Sequence, residues 1–169
     1  MADTLDPDLP DDVATRAERV LDLAHQRDIL LATAESCTGG LLAALLTDVP
    51  GKSHVFERGF VVYSKQAKCD LLHIDRRKVD DCGAVSRAVA LDMASGALKA
   101  SGAGLALAIT GFAGPGDQGE EEGLVHFACA TADGILHHHE EHFGPVGRQG
   151  VRLAALRVAL ETMEQALAR

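Results

Sequence analysis

Val13, Ala17, Val20, Leu21 and Ala24 recur every three or four residues, the period of one helical face, and predict an amphipathic helix from Asp11 to about Gln26. The apolar run Ile29-Leu30-Leu31 then predicts a strand over about 28–33, and Leu41 to Leu46, apolar nearly all round, a helix lying between other elements and stopped by Val49-Pro50-Gly51. Val55 to Ser64 has the β-branched and aromatic enrichment of a second strand, followed by a short helix over Lys65–His73. Ser86 is a suitable N-cap for a helix whose Val89, Met93 and Ala97 repeat every fourth residue and which ends near Ser101-Gly102. Leu105 to Ile109 is continuously apolar, as in a strand covered on both faces. Leu124–Thr131 and Ile135–Phe143 flank the turn signal Asp133-Gly134 and predict a hairpin. Leu153, Leu156, Leu160, Met163 and Leu167 give a last helix one packing face. Five strands mixed with about five helices predict an α/β fold, a three-layer α/β/α sandwich around a mixed sheet of about five strands whose hairpin is antiparallel.

Length and composition set the outer limits. A chain of 169 residues, 47% of them hydrophobic, fits one domain, here 12–169, behind an acidic tail at 1–11 that is expected to be disordered. Five aspartates in the first twelve residues carry more than half of the net charge of −9 and leave −4 for the rest. That body lacks the clustered Lys and Arg of a nucleic-acid footprint, and one Tyr, five Phe and no Trp give few platforms for base stacking. No apolar run has the length of a membrane span and the N-terminus lacks the pattern of a signal peptide, which predicts a cytoplasmic protein with no membrane partner. Cys37, Cys69, Cys82 and Cys129 form no C-x-x-C pair and are read as reduced, mostly buried thiols.

Chemistry concentrates at two strand ends. Thr33-Ala34-Glu35-Ser36-Cys37-Thr38-Gly39-Gly40 joins a buried strand to a helix, where Ser36, Thr38 and free backbone N–H groups would face a site that favours negative charge. The plain alternative is that Glu35, Ser36 and Thr38 only cap the helix while the glycines permit close packing. Thr110-Gly111-Phe112-Ala113-Gly114-Pro115-Gly116 is a second Gly-rich loop after a strand, able to hold an anion through its N–H groups or to be a simple Gly-Pro turn. It matches neither the Walker nor the Rossmann pattern. Ligands of open α/β sheets sit beyond the carboxyl ends of the strands, so the two loops could share one pocket. Tyr63-Ser64-Lys65-Gln66-Ala67-Lys68 supplies a phenol and two amines; a desolvated lysine can serve a serine nucleophile as base, whereas both amines in water would be ordinary helix-start lysines. His137 and His139 share one face of a strand and His138, Glu140 and His142 the other, so either set could gather a metal, and a solvated edge strand explains them as well.

Four segments occur in one order: Ala34 to Gly40, Phe56 to Ser64, Gly83-Ala84-Val85-Ser86, and Thr110 to Pro115. Together they resemble the CinA C-terminal domain family, which includes the PncC-like nicotinamide-nucleotide amidases, over about residues 12–168 and in its stand-alone form. The resemblance implies hydrolysis of the carboxamide of nicotinamide mononucleotide to nicotinic acid mononucleotide and ammonia, a step in pyridine nucleotide salvage, with no metal and no cofactor. It implies Ser36 as nucleophile, Lys68 as base or proton shuttle, and Tyr63 and Thr110 as groups that orient or stabilise the site. Thr38, Gly39, Gly40, Gly111, Ala113, Gly114 and Arg148 are the expected substrate-binding positions, the partner is a pyridine mononucleotide, and the protein is expected to be a homo-oligomer.

This chain departs from the family's usual pattern in three places: Lys65 stands where Asn follows the Tyr-Ser pair, Glu122-Gly123-Leu124 replaces a Lys-Pro-Val-Gly-Thr segment, and Val146-Gly147-Arg148 replaces Gly-Asp-Arg. With that lysine gone, Arg148 is the remaining candidate for the substrate phosphate. The altered 119–124 loop also fits a second class, a nucleotide-binding or partner-binding paralogue without turnover, and the histidine strand a third, a structural metal protein.

Overall fold

The computed structural model describes residues 9–169. In chain order its elements are α1 (Asp11–Gln26), β1 (Leu31–Glu35), α2 (Leu41–Thr47), β2 (Phe56–Val61), α3 (Lys65–Leu72), α4 (Arg76–Cys82), α5 (Arg87–Lys99), β3 (Leu105–Gly111), β4 (Leu124–Thr131), β5 (Leu136–His142) and α6 (Gly147–Leu167). They form one five-stranded sheet in the order β2-β1-β3-β4-β5. β1 runs parallel to β2 and β3, and the β3-β4-β5 part is antiparallel, the mixed sheet that the pattern predicts.

Strand alternation builds two unlike cores. Leu31, Leu105, Leu107, Ile109, Val125, Phe127 and Cys129 point to one face and pack with the apolar stripes of α1, α2 and α6. Ala32, Ala34, Ala106, Ala108, Ala128 and Ala130 point to the other, where their small side chains let α5 approach; Val89, Ala90, Met93, Ala94 and Ala97 of that helix fill the space. Gly96 continues the close packing, since a Cβ there would lie 2.4 Å from the Leu72 carbonyl oxygen at the end of α3. Placing a leucine on the alanine face would overpack this layer and cost about 1–3 kcal/mol.

Several expectations shift. α4 was not anticipated, because Val79 is its one buried residue and leaves no period to read; Asp75 caps it by accepting from the Arg77 N–H. β1 starts at Leu31 rather than 28, with Leu30 exposed, and β2 stops at Val61 as the outermost parallel strand. α2 is covered on one side only, Ala44 being exposed. The expectation of mostly buried thiols holds for Cys37 and Cys129, while Cys69 is half-buried and Cys82 exposed. The acidic tail falls largely on residues 1–8, outside the described residues; Leu9 packs on the core and Asp12 pairs with Arg157. Among the described residues no helix is long and apolar enough to cross a membrane.

This topology fixes where a ligand can sit. The connection from β1 to β2 passes through α2 on one face, and that from β2 to β3 through α3, α4 and α5 on the other. The chain therefore departs to opposite faces around β1, and the crevice beyond its carboxyl end is the topological switch point.

Candidate active site

Ser36 is the first residue after β1, and the period of two sends it and Glu35 to opposite faces. Glu35, fully buried, turns toward α2 and accepts hydrogen bonds from the Thr38 hydroxyl at 2.6 Å and from the backbone N–H groups of Gly40, Leu42 and Ala43 at 3.1, 3.1 and 2.8 Å. These charge-assisted bonds satisfy the orphan donors of the helix start. The capping task expected of this segment thus belongs to Glu35, and it consumes the Thr38 hydroxyl as well. The Ser36 hydroxyl takes no part in this cap.

On its own face Ser36 meets α3. Lys68 and Leu72, one turn apart, are the buried positions of that helix, so Lys68 occupies a site where the packing period would place an apolar residue. Its Nζ lies 3.0 Å from Ser36 Oγ, 2.7 Å from the Val62 carbonyl oxygen and 3.3 Å from that of Tyr63. Burial lowers the Lys68 pKa to about 8. A neutral amine has two N–H donors for the two carbonyls and one lone pair for the Ser36 hydroxyl. Lys65 is the solvated lysine of the pair, exposed and 3.3 Å from Asp80.

The Tyr63 side chain is 68% exposed, and what this residue gives Lys68 is its backbone carbonyl. Thr110 is buried and donates its hydroxyl to the Ala84 carbonyl at 2.8 Å, which ties the end of β3 to the loop before α5 and joins two of the four sequence segments. Ser36 itself is held to β3 by its N–H bond to the Ile109 carbonyl at 2.9 Å. Gly111 is a packing position, since a Cβ there would lie 2.7 Å from the Leu124 carbonyl oxygen. The Cys37 thiol lies in the same turn, and burial raises its pKa to about 11, which keeps it protonated at neutral pH.

Two arginines overlie the Gly-rich loops. A Cβ on Gly114 would lie 3.0 Å from Arg148 Nη2, and one on Gly39 3.6 Å from Arg152 Nη2. Arg152 also donates from Nε to the Cys37 carbonyl at 2.9 Å. The two are four residues apart near the start of α6 and so project from one face, bringing the 36–40 turn and the 110–116 loop together beneath two guanidinium groups. Sequence reading singled out Arg148 and missed Arg152; the i,i+4 spacing was the available signal. Within the acidic run, Glu121 and Glu120 are both exposed, Glu121 lying 2.7 Å from His142 and Glu120 accepting from the Asp117 N–H.

A model of the CinA C-terminal domain matches residues 13–167. The chain belongs to the CinA C-terminal domain family. Within it, the chain is 44% identical over 152 residues to the nicotinamide-nucleotide amidohydrolase PncC of Escherichia coli K12, spanning 88% of this chain and 91% of that protein. A relative from Caldicellulosiruptor bescii named for competence-damage induction is 46% identical over 120 residues, and there the match spans 70% of this chain and only 29% of the longer protein. The crystal structure of the competence/damage inducible protein CihA from Agrobacterium tumefaciens superposes with a TM-score of 0.91 at 44% identity, covering 95% of this chain and 98% of that one. The α/β sandwich is thus the architecture of this CinA-family relative.

Proposed function

We propose that this CinA-family protein hydrolyses the carboxamide of nicotinamide mononucleotide to nicotinic acid mononucleotide and ammonia, with Ser36 as nucleophile and Lys68 as base. The observation that carries the mechanism is the 3.0 Å contact between the Ser36 hydroxyl and a buried amine with a lowered pKa. The substrate assignment is supported by the similarity to PncC across most of both chains.

In the first step neutral Lys68 takes the hydroxyl proton as Ser36 Oγ bonds to the amide carbon. The backbone N–H groups of Ser36, Gly39 and Gly40 are engaged within the fold, which leaves those of Cys37 and Thr38 in the turn to stabilise the tetrahedral oxyanion. Protonated Lys68 then returns the proton to the departing nitrogen, the C–N bond breaks, and ammonia leaves an acyl-serine. Water, deprotonated by the same amine, attacks that ester and restores Ser36. The phosphate of the nucleotide lies under Arg148 and Arg152, on the N–H groups of the loop around Ala113 and Gly114 and near the positive end of α6.

The test is release of ammonia from nicotinamide mononucleotide by purified protein, followed with the appearance of nicotinic acid mononucleotide. Saturable binding of the nucleotide with no ammonia released would identify a binding paralogue instead.

A further inference from the structure

The sheet edge carries a second group of side chains that the amidase chemistry does not use. In the β4-β5 pairing His126 stands directly opposite Glu140, and His138 lies two residues along β5 opposite Ala128. The period of two puts all three on the α5 face of the sheet. His126 belongs to β4 and joins residues that the sequence alone assigns to a solvated strand. It is buried, whereas His138 is half-buried and Glu140 exposed, so the group is anchored at one end and open at the other.

The donor atoms lie close enough together to share one ion. His126 Nδ1 is 3.0 Å from His138 Nε2 and 3.6 Å from Glu140 Oε2, and one donor atom from each residue falls within 4.8 Å of the others. Metal–ligand bonds of 2.0–2.1 Å in a tetrahedral zinc site imply ligand–ligand edges of about 3.3–3.4 Å, between these two values. A shell behind the ligands is also present. His142 Nε2 is 3.5 Å from the other oxygen of Glu140, and His142 Nδ1 is 2.7 Å from Glu121, which holds the carboxylate in orientation.

We propose that His126, His138 and Glu140 bind one divalent transition-metal ion of the zinc class, fastening the edge strand β5 to β4 and leaving a fourth position for water. Two imidazoles and a carboxylate are a donor set suited to that ion. Among the described residues no equivalent group stands on the opposite face, where His139 pairs with Glu141 at 2.6 Å. The site stands beside the end of β3, since His126 faces Thr110 across the β3-β4 pairing, but no step of the amidase mechanism passes through it.

The experiment titrates Co²⁺ and then Zn²⁺ into chelator-stripped protein that carries no affinity tag, reading visible absorption and heat. One equivalent of Co²⁺ should give tetrahedral-type bands that Zn²⁺ displaces. His138→Ala and Glu140→Gln alter partly exposed side chains and should each weaken uptake at least about 100-fold, the upper range for loss of even an outer-shell partner. A His137→Ala/His139→Ala double variant should bind as the parent does. Absence of saturable uptake in the parent, uptake that persists in His138→Ala, or loss in the His137/His139 variant would each overturn the assignment.

Discussion

Lys68 Nζ and Ser36 Oγ, thirty-two residues apart in the chain, meet at 3.0 Å inside the protein, and the remaining bonds of the amine go to two backbone carbonyls rather than to a carboxylate. A buried amine without an anionic partner loses hydration and gains little in return, which is why its pKa falls. On the proposed mechanism, this is the pair that transfers the proton.

Replacing Ser36 with Ala removes one nearly buried oxygen and opens almost no cavity. Ammonia release from nicotinamide mononucleotide should fall by orders of magnitude, with the melting temperature close to that of the parent. A variant that turns over at the parental rate would rule Ser36 out as the nucleophile.

The pH dependence follows from the direction of the Lys68 shift. Below about pH 8 the amine holds its proton and cannot accept that of Ser36; above it the lone pair is available. The kcat/KM value should therefore climb with pH and level off above about 8. A profile already flat from pH 6 would show that a different group accepts the proton. Lys68→Met should abolish the activity at every pH.

Arg148 and Arg152 should separate in their effects. A charge-assisted contact to phosphate is worth about 1.5–3 kcal/mol. Arg148→Ala should then raise KM by roughly 10- to 150-fold at about 1.4 kcal/mol per decade. Arg152→Ala should lower kcat as well, since Arg152 holds the Cys37 carbonyl and with it the nucleophile turn. Equal processing of nicotinamide riboside, which lacks the phosphate, would contradict the assignment of both.

Glu35 is predicted to be the structural weak point of the site. In Glu35→Gln the amide nitrogen cannot accept, so at least one donor at the start of α2, the part-buried Ala43 N–H, loses its partner, at up to about 1–3 kcal/mol. Urea denaturation should register that loss. A Gln variant as stable as the parent would show that the four bonds carry little net weight.

Exhaustive treatment with EDTA or dipicolinate should leave turnover unchanged, because the nucleophile and the base are both side chains. Loss of ammonia release on chelation, restored by zinc, would place a metal in the chemistry.

Local signals in the sequence determined a good part of this protein. Alternation and helical period gave the three layers and the mixed sheet, Ser86 gave the cap of α5, whose side chain accepts from the Val89 N–H, and Asp133-Gly134 gave the hairpin. Each depends on residues near in sequence, where backbone geometry fixes which side chains share a face. The four ordered segments also placed Ser36 and Lys68 among the candidates. The residues alone left open which lysine enters the protein, and only the family resemblance named Lys68, since Lys65 and Lys68 differ only by helical phase, and that phase is set by where α3 docks on the alanine face. The same holds for Arg152, which reaches the Cys37 carbonyl across 115 residues, and for His126, which joins β5 histidines only through strand register. α4 escaped notice because a helix with one buried apolar side chain has no period to show. Tertiary packing decided these points because burial, pKa and donor geometry depend on neighbours that the chain supplies from far away in sequence.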